Sequence, residues 1–317
     1  MIKGILHFFS QLFASYSPQA NDINTLFLRY LILAGFIIVL VAGLVITAAI
    51  RYKSKNREGE PRQVSGNKRL ELVWTILPLL AVSFFFILTL QAMGDINTPY
   101  TDYGQPDIVI IAHQWWWEMH YPKYHVTIAN ELHIPVNKKL LMKVESADVI
   151  HDWSVPELGR KIDAIPGKPN YMWIQADSIR SYEGSCNEYC GVEHAWMRIK
   201  VIAQSQTNFD KWIKHEQEVP PSPQDSAALA GAKLFSTETC SDCHTIAGTD
   251  ADKSIGPDLT HIASRETLLS GMLPNTRGNL TRWLTDPQKV KPGAHMPNFR
   301  MTKTQVNDLV TYLEELK

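Results

Sequence analysis

Two long stretches without a single charge constrain this chain of 317 residues more than anything else in it. From Tyr30 to Ile50 the sequence reads YLILAGFIIVLVAGLVITAAI, and the run from Leu72 to Met93 is also uncharged. At ~1.5 Å rise per residue, about twenty apolar residues in a helix cross the ~30 Å hydrocarbon core of a bilayer. Core helices of soluble proteins rarely stay apolar all round for that length. The pattern therefore predicts a transmembrane hairpin over residues 26–94. Pro78 falls inside the second stretch, where membrane helices tolerate proline better than soluble ones do.

The residues between the stretches, RYKSKNREGEPRQVSGNKR at 51–69, set Arg51, Lys53, Lys55, Arg57, Arg62, Lys68 and Arg69 against Glu58 and Glu60. The positive-inside rule puts this loop in the cytoplasm. The N-terminus and everything after Met93 are then expected on the outer face. Charge segregates accordingly: residues 1–94 hold nine basic and four acidic side chains, residues 95–224 twelve and seventeen, and residues 225–317 ten and eleven. A formal net charge of −1 argues against a nucleic-acid partner. Within an N-terminal segment of 1–25, Ile5 to Phe13 follow Lys3 as a candidate signal peptide. That stretch also contains His7 and Gln11 and ends without a clear small-x-small cleavage site.

Beyond the hairpin the chain changes character twice. Residues 95–205 contain the runs IVIIAHQWWW, HVTIAN, LLMKVESADVI, YMWIQA and RIKVIA, rich in β-branched and aromatic residues and separated by turn formers. Their spacing predicts an all-β sandwich. Residues 206–224 read as a short polar helix, FDKWIKHEQE at 209–218, followed by the stiff linker PPSPQD at 220–225. Residues 225–317 read as a small all-α domain. Its first helix is expected over Ser226–Phe235, and its last carries Val306, Leu309, Val310 and Leu313 on one face.

Four cysteines sit in two close pairs, a distribution that suggests bound cofactors rather than a disulfide framework. Cys240-Ser241-Asp242-Cys243-His244 is the C-x-x-C-H of a covalently attached c-type haem, with His244 placed to bind iron. A methionine is the usual sixth ligand, and the candidates are Met272, Met296 and Met301. Met296 is preferred because PGAHMPNF reads as a loop able to drape over the iron. His261 and His295 are read as solvated or supporting residues. The second pair, Cys186 and Cys190, is followed by His194 and Met197. Two thiolates, an imidazole and a thioether form a soft donor set that suits copper, and the thioether favours copper over zinc. A further imidazole is needed. His151 is the best candidate, in competition with His113, His120, His125 and His133.

The order of these features resembles subunit II of haem–copper cytochrome c oxidase in its variant with a fused C-terminal cytochrome c. The resemblance runs from LELVWTILP at 70–78 through HQWWW at 113–117, HDWSVPELGRKIDAIPG at 151–167 and GSCNEYCGVEHAWM at 184–197 to IGPDLTHIASR at 255–265. It implies a multidomain membrane protein: a two-helix hairpin, a cupredoxin-like β-domain holding the dinuclear CuA centre, and a class I cytochrome c domain. The implied copper ligands are His151, Cys186, Cys190, His194, Met197 and the backbone carbonyl of Glu188. The Glu188 carboxylate would help bind a magnesium ion shared with subunit I. Glu71 matches a residue at the entrance of a proton pathway, although an acid in a first helical turn also suits the helix dipole. Trp115 falls where electrons come in from cytochrome c. In a continuous strand Trp115 and Trp117 would share a face, with Trp116 opposite. The chain has Trp-Trp-Trp where the family commonly has Trp-Tyr-Trp.

The resemblance implies an electron-input subunit. Electrons would pass from an external donor, such as cytochrome c or a quinol:cytochrome c reductase, to haem c, then CuA, then subunit I, with subunit III alongside. The setting would be the inner membrane of a bacterium, where subunit I reduces oxygen to water and pumps protons. Two other readings are a CuA subunit of a nitric oxide reductase and a membrane-bound copper-delivery protein. The latter would be expected to show one membrane helix and no haem site.

Overall fold

The computed structural model describes residues 14–53, 66–97, 104–238 and 240–317. The described chain forms two units, one of residues 21–97 and one of residues 14–20 with 104–317.

The first unit is helical. Helix α1 runs Pro18–Arg51 and α2 runs Lys68–Ile96, covering both uncharged stretches. Both are long and apolar enough to cross a membrane, and their large hydrophobic side chains, such as Ile32 and Leu80, point outward. Asn67 caps α2 by accepting from the amides of Arg69 and Leu70. The helix continues through Pro78 as expected. Tyr30 of α1 stacks on Phe85 of α2 at 4.2 Å, and its hydroxyl lies 3.1 Å from that of Thr89. The candidate signal peptide and positions 54–65 of the basic loop lie outside the described residues.

The second unit begins with a two-sheet sandwich, as the sequence predicts. One sheet has the order β3-β2-β1-β5-β8, with β1 Ile108–His113, β2 Trp116–Tyr121, β3 Val126–Ala129, β5 Leu140–Ser146 and β8 Asn170–Ile174. The other has the order β4-β10-β9-β6-β7, with β4 Glu131–Pro135, β6 His151–Ser154, β7 Ile162–Ala164, β9 Arg180–Cys186 and β10 Arg198–Gln204. Alternation explains the pairing of faces: Ile108, Ile110 and Ala112 of β1 and Leu140, Met142 and Val144 of β5 all turn inward. The run IVIIAHQWWW is a hairpin rather than one strand, because the chain reverses at Gln114 and Trp115 and pairs His113 with Trp116. Trp116 consequently stacks on His113 at 4.2 Å, while Trp115 and Trp117 both enter the core. Residues Tyr16 to Gln19, read within the N-terminal segment, are bonded into this unit: the Ser17 hydroxyl donates to Leu158 O and the Gln19 amide to Trp173 O, each at 2.8 Å.

Helix α3, Gln206–Glu216, is capped by Ser205 and buries Phe209 and Ile213. The predicted polar helix is therefore amphipathic, and it packs back onto Tyr121 of the sandwich. The helical domain contains α4 Ser226–Thr237, α5 Arg277–Thr285, α6 Pro287–Val290 and α7 Lys303–Glu315, with a two-residue ladder of β11 Thr267–Leu268 and β12 Leu273–Pro274. Val306, Leu309, Val310 and Leu313 of α7 are buried, as their spacing predicts. Gly231 lets α4 and α7 cross closely: a Cβ there would lie 2.1 Å from Asp308 O.

The helical domain is seated on the sandwich. The buried Glu131 carboxylate accepts from the amides of Glu266 and Thr267 at 3.0 and 2.7 Å and from the Thr267 hydroxyl at 2.5 Å. The Ser270 hydroxyl donates to Asn130 Oδ1 at 2.8 Å. His261, read as solvated or supporting, is buried in this seam with Nε2 3.1 Å from Glu218 O. The reason is tertiary: the side chain is covered by a neighbour 43 positions earlier in the chain.

Candidate functional site

Cys186 ends β9 and His151 opens β6, and the two strands pair with Trp153 opposite Cys186. Their close approach needs Gly184, where a Cβ would lie 2.3 Å from Ser154 O. Past β9 the chain loops through Glu188 and Cys190 into a single 3-10 turn, His194–Trp196, and reaches Met197 just before β10. The loop folds its donors back over the end of the sheet.

There the donors converge. The sulfurs of Cys186 and Cys190 lie 3.8 Å apart, and the ligand atoms of His151, Cys186 and Cys190 all fall within 4.8 Å of one another. His194 Nδ1 is 3.5 Å from Cys190 Sγ, Met197 Sδ is 3.1 Å from His151 Nδ1, and Glu188 O is 3.2 Å from Cys186 Sγ. The sulfurs stand well beyond the ~2.05 Å of a disulfide. Two thiolates able to bridge, two imidazoles and a thioether fit a pair of soft copper ions.

Electrostatics prepare the set. The Cys190 thiol beside it holds Cys186 below the usual thiol range against burial, with His151 helping, whereas the same contact and burial push Cys190 up. Burial opposes ionisation of Asp148, but the bonds it accepts from His151 and from the amides of Gln114 and Val149 outweigh it and hold its carboxyl below the usual range. His151 Nε2 donates to Asp148 Oδ1 at 2.7 Å, which leaves Nδ1 as the ligand atom.

The competing histidines go elsewhere. His113 and His120 bracket Glu118 at 2.8 and 2.9 Å, His133 stacks on Trp212 at 4.1 Å, and His125 occupies a left-handed turn at φ 54°. The Glu188 side chain is exposed, and Glu71 is exposed in the first turn of α2. Trp115 is 7% exposed and donates from Nε1 to Cys190 O at 3.1 Å, and the Gln114 amide donates to the same oxygen at 2.6 Å.

In the helical domain Cys240 and Cys243 are free thiols at a 3-10 turn, and the His244 amide donates to Cys240 O at 3.0 Å. His244 Nδ1 donates to Pro257 O at 2.7 Å, which leaves Nε2 as the atom to face iron. Burial lowers the pKa of His244 and favours the neutral imidazole that ligation requires. Gly256 makes room for the ring, since a Cβ there would lie 2.6 Å from His244 Cε1. These features fit the haem expected from C-x-x-C-H. Met296, Met301 and Cys240 all pack against the buried core of the helical domain, and Met272 is half-buried just before β12. Three contributors escaped the sequence reading: Asp148, Gln114 and Lys291. Only Asp148 had a local signal, an acid three positions before His151.

Comparison with known proteins adds an independent line. Residues 7–91 match the family model "Cytochrome C oxidase subunit II, transmembrane domain", residues 124–204 its "periplasmic domain", and residues 228–317 "Cytochrome c". Cytochrome c oxidase subunit 2 of Alkalihalophilus pseudofirmus is 32% identical over 306 residues, covering 95% of this chain and 89% of the relative. The subunit 2 of Bacillus sp. strain PS3 is 31% identical over 285 residues, covering 83% and 80%. Among solved structures, the periplasmic domain of subunit II of cytochrome oxidase from Bradyrhizobium japonicum is 31% identical, covering 37% of this chain and 97% of that one, with a TM-score of 0.35.

Proposed function

The chain belongs to the cytochrome c oxidase subunit II family and ends in a cytochrome c domain, and on that premise we propose that it is the electron-input subunit of a respiratory oxidase. When bound, haem c and the copper pair supply one-electron carriers that relay electrons from an external donor toward subunit I, where oxygen is reduced and protons are pumped. Cys240 and Cys243 would anchor the haem, and His244 and Met296 would hold its iron. His151, Cys186, Cys190, His194, Met197 and the Glu188 carbonyl would hold the coppers, and the Glu188 carboxylate, exposed on the loop, would share a magnesium ion with subunit I. Glu71 opens a proton pathway. Subunit III completes the assembly.

The observation that carries this reading is the convergence of two thiols, two imidazoles, a thioether and a carbonyl over one end of the sandwich. The sandwich keeps four of these donors dry, since His151 and Met197 are fully buried and both thiols nearly so, while His194 is half-buried. Dryness and rigid donors limit reorganisation when the charge on the site changes. The basic loop at 51–69 supports a cytoplasmic hairpin turn in a bacterial inner membrane, with both cofactor domains outside. Cytochrome c or a quinol:cytochrome c reductase would deliver electrons to the haem domain.

Metal and haem analysis of the purified full chain tests the proposal. Two coppers and one covalently attached haem per chain are expected, with a purple mixed-valent colour that Cys186→Ser abolishes. A single tetrahedral zinc and no copper pair would overturn it.

A further inference from the structure

Lys291 is the one buried lysine among the described residues, at 4% exposure, and it follows the short helix α6 in the haem domain. A buried ammonium is costly unless it finds partners. Its Nζ donates to the backbone oxygen of Trp115 at 3.0 Å, across 176 positions of sequence. The buried Glu193 carboxylate compensates part of its charge, and although burial lowers Lys291 to about 8, it remains a cation at neutral pH.

The loop that Lys291 opens is stiff. Gln288 bridges it, donating from Nε2 to Ala294 O and Met296 O at 2.8 and 3.1 Å and accepting from the Gly293 amide at 3.0 Å. At Gly293, φ is +87°, and a Cβ would lie 2.6 Å from Val192 Cγ2 of the copper loop. The His295 ring sits 5.4 Å from the Trp115 ring. Trp115 in turn donates to Cys190 O and packs against Gly191, where a Cβ would lie 2.8 Å from Cζ2. One compact path thus joins the Met296 loop to a thiol of the copper site.

We propose that Lys291 is the positioning residue for electron transfer between the two centres: its ammonium locks the Met296 loop onto Trp115, and through Trp115 onto the copper loop. This rests on the reading under Proposed function. With both groups bound, the step served would be transfer of one electron from haem c to the copper pair, and Lys291 itself would exchange neither proton nor electron. Trp115 then serves the chain's own cytochrome domain, because that domain covers it. The seam at Glu131 seats the domain, whereas Lys291 sets the contact that matters for transfer.

The test compares Lys291→Met with Glu131→Gln in the full chain. In metal-free protein, amide hydrogen exchange in residues 291–296 and 114–117 should rise about tenfold or more in Lys291→Met, the population change that follows loss of one hydrogen bond from a charged donor. In the loaded chain, haem-to-copper transfer after photoreduction should slow by a similar factor, more than any measured shift in the two potentials accounts for, with the methionine–iron band at its parent value. Glu131→Gln should lower thermal stability and leave the transfer rate near the parent's. Parent-like exchange and rate in Lys291→Met overturns the proposal, as does an equal slowing in Glu131→Gln. If Lys291→Met does not fold, Gly293→Ala lifts the same loop from Val192 and should give the same exchange and rate changes. A parent chain without a copper pair defeats the reading under Proposed function instead, and the metal-free exchange comparison still decides the role of Lys291.

Discussion

Replacing Asp148 with asparagine tests how the proposed copper-binding loop is organised by a residue outside its donor set. Asp148 Oδ1 accepts from His151 Nε2 at 2.7 Å and from the Val149 amide at 2.6 Å, while Oδ2 accepts from the Gln114 amide at 2.6 Å. Asparagine keeps the shape but turns one acceptor into an NH2 group that faces an N–H. Either the His151 bond or the Gln114 bond must be lost, and the charge that assists both disappears. Loss of such a supporting partner typically lowers metal affinity 10–100-fold, or about 1.4–2.7 kcal/mol. His151 is fully buried, so water cannot replace the lost partner, which places the expectation toward the upper end. Copper affinity would be measured by competition with a chelator on the full chain, with circular dichroism to confirm the fold. An affinity within twofold of the parent would refute the argument that Asp148 sets the tautomer and aim of His151.

Glu118 gives a pH signature. Burial opposes its ionisation, yet bonds from His113 and His120 outweigh burial and hold its carboxyl at about 2 instead of 4.5. The folded pKa is depressed, so the stabilisation is complete above pH 4.5 and is lost as pH falls toward 2. At ~1.4 kcal/mol per unit it amounts to about 3 kcal/mol, and Glu118→Gln should flatten the dependence of the melting temperature on pH in that window. Gly231→Ala should destabilise the haem domain by about 1–3 kcal/mol through collision with Asp308 O, whereas Gly278→Ala, with no neighbour within 4 Å, should be neutral or stabilising in the same melts. Met296→Leu should remove the methionine–iron absorption band while leaving the haem covalently attached. Met301→Leu should leave the band intact; the opposite outcome would move the ligand to Met301.

Features coded by local pattern were legible in the chain itself. Two uncharged stretches specify membrane-length helices because lipid leaves backbone groups no other partners. The apolar spacing of Val306, Leu309, Val310 and Leu313 specifies a buried helical face, and C-x-x-C-H places both thiols and His244 together because the three are close in sequence. Cys186, Cys190, His194 and Met197 share one loop for the same reason. Tertiary structure decided what depends on distant pairing. The sequence favoured His151 over four other histidines but left them in competition, and the β6–β9 ladder, which brings it across 35 positions to Cys186, is what sets it apart. The strand-like run IVIIAHQWWW hides a reversal, since its composition favours extended structure on both sides of the turn. The seat of the cytochrome c domain rests on Glu131 with Thr267 and on Lys291 with Trp115, contacts 136 and 176 positions apart. A proline-rich linker marks where such a domain begins, but its resting place is set by complementary donors and acceptors that exist as a surface only after both domains have folded.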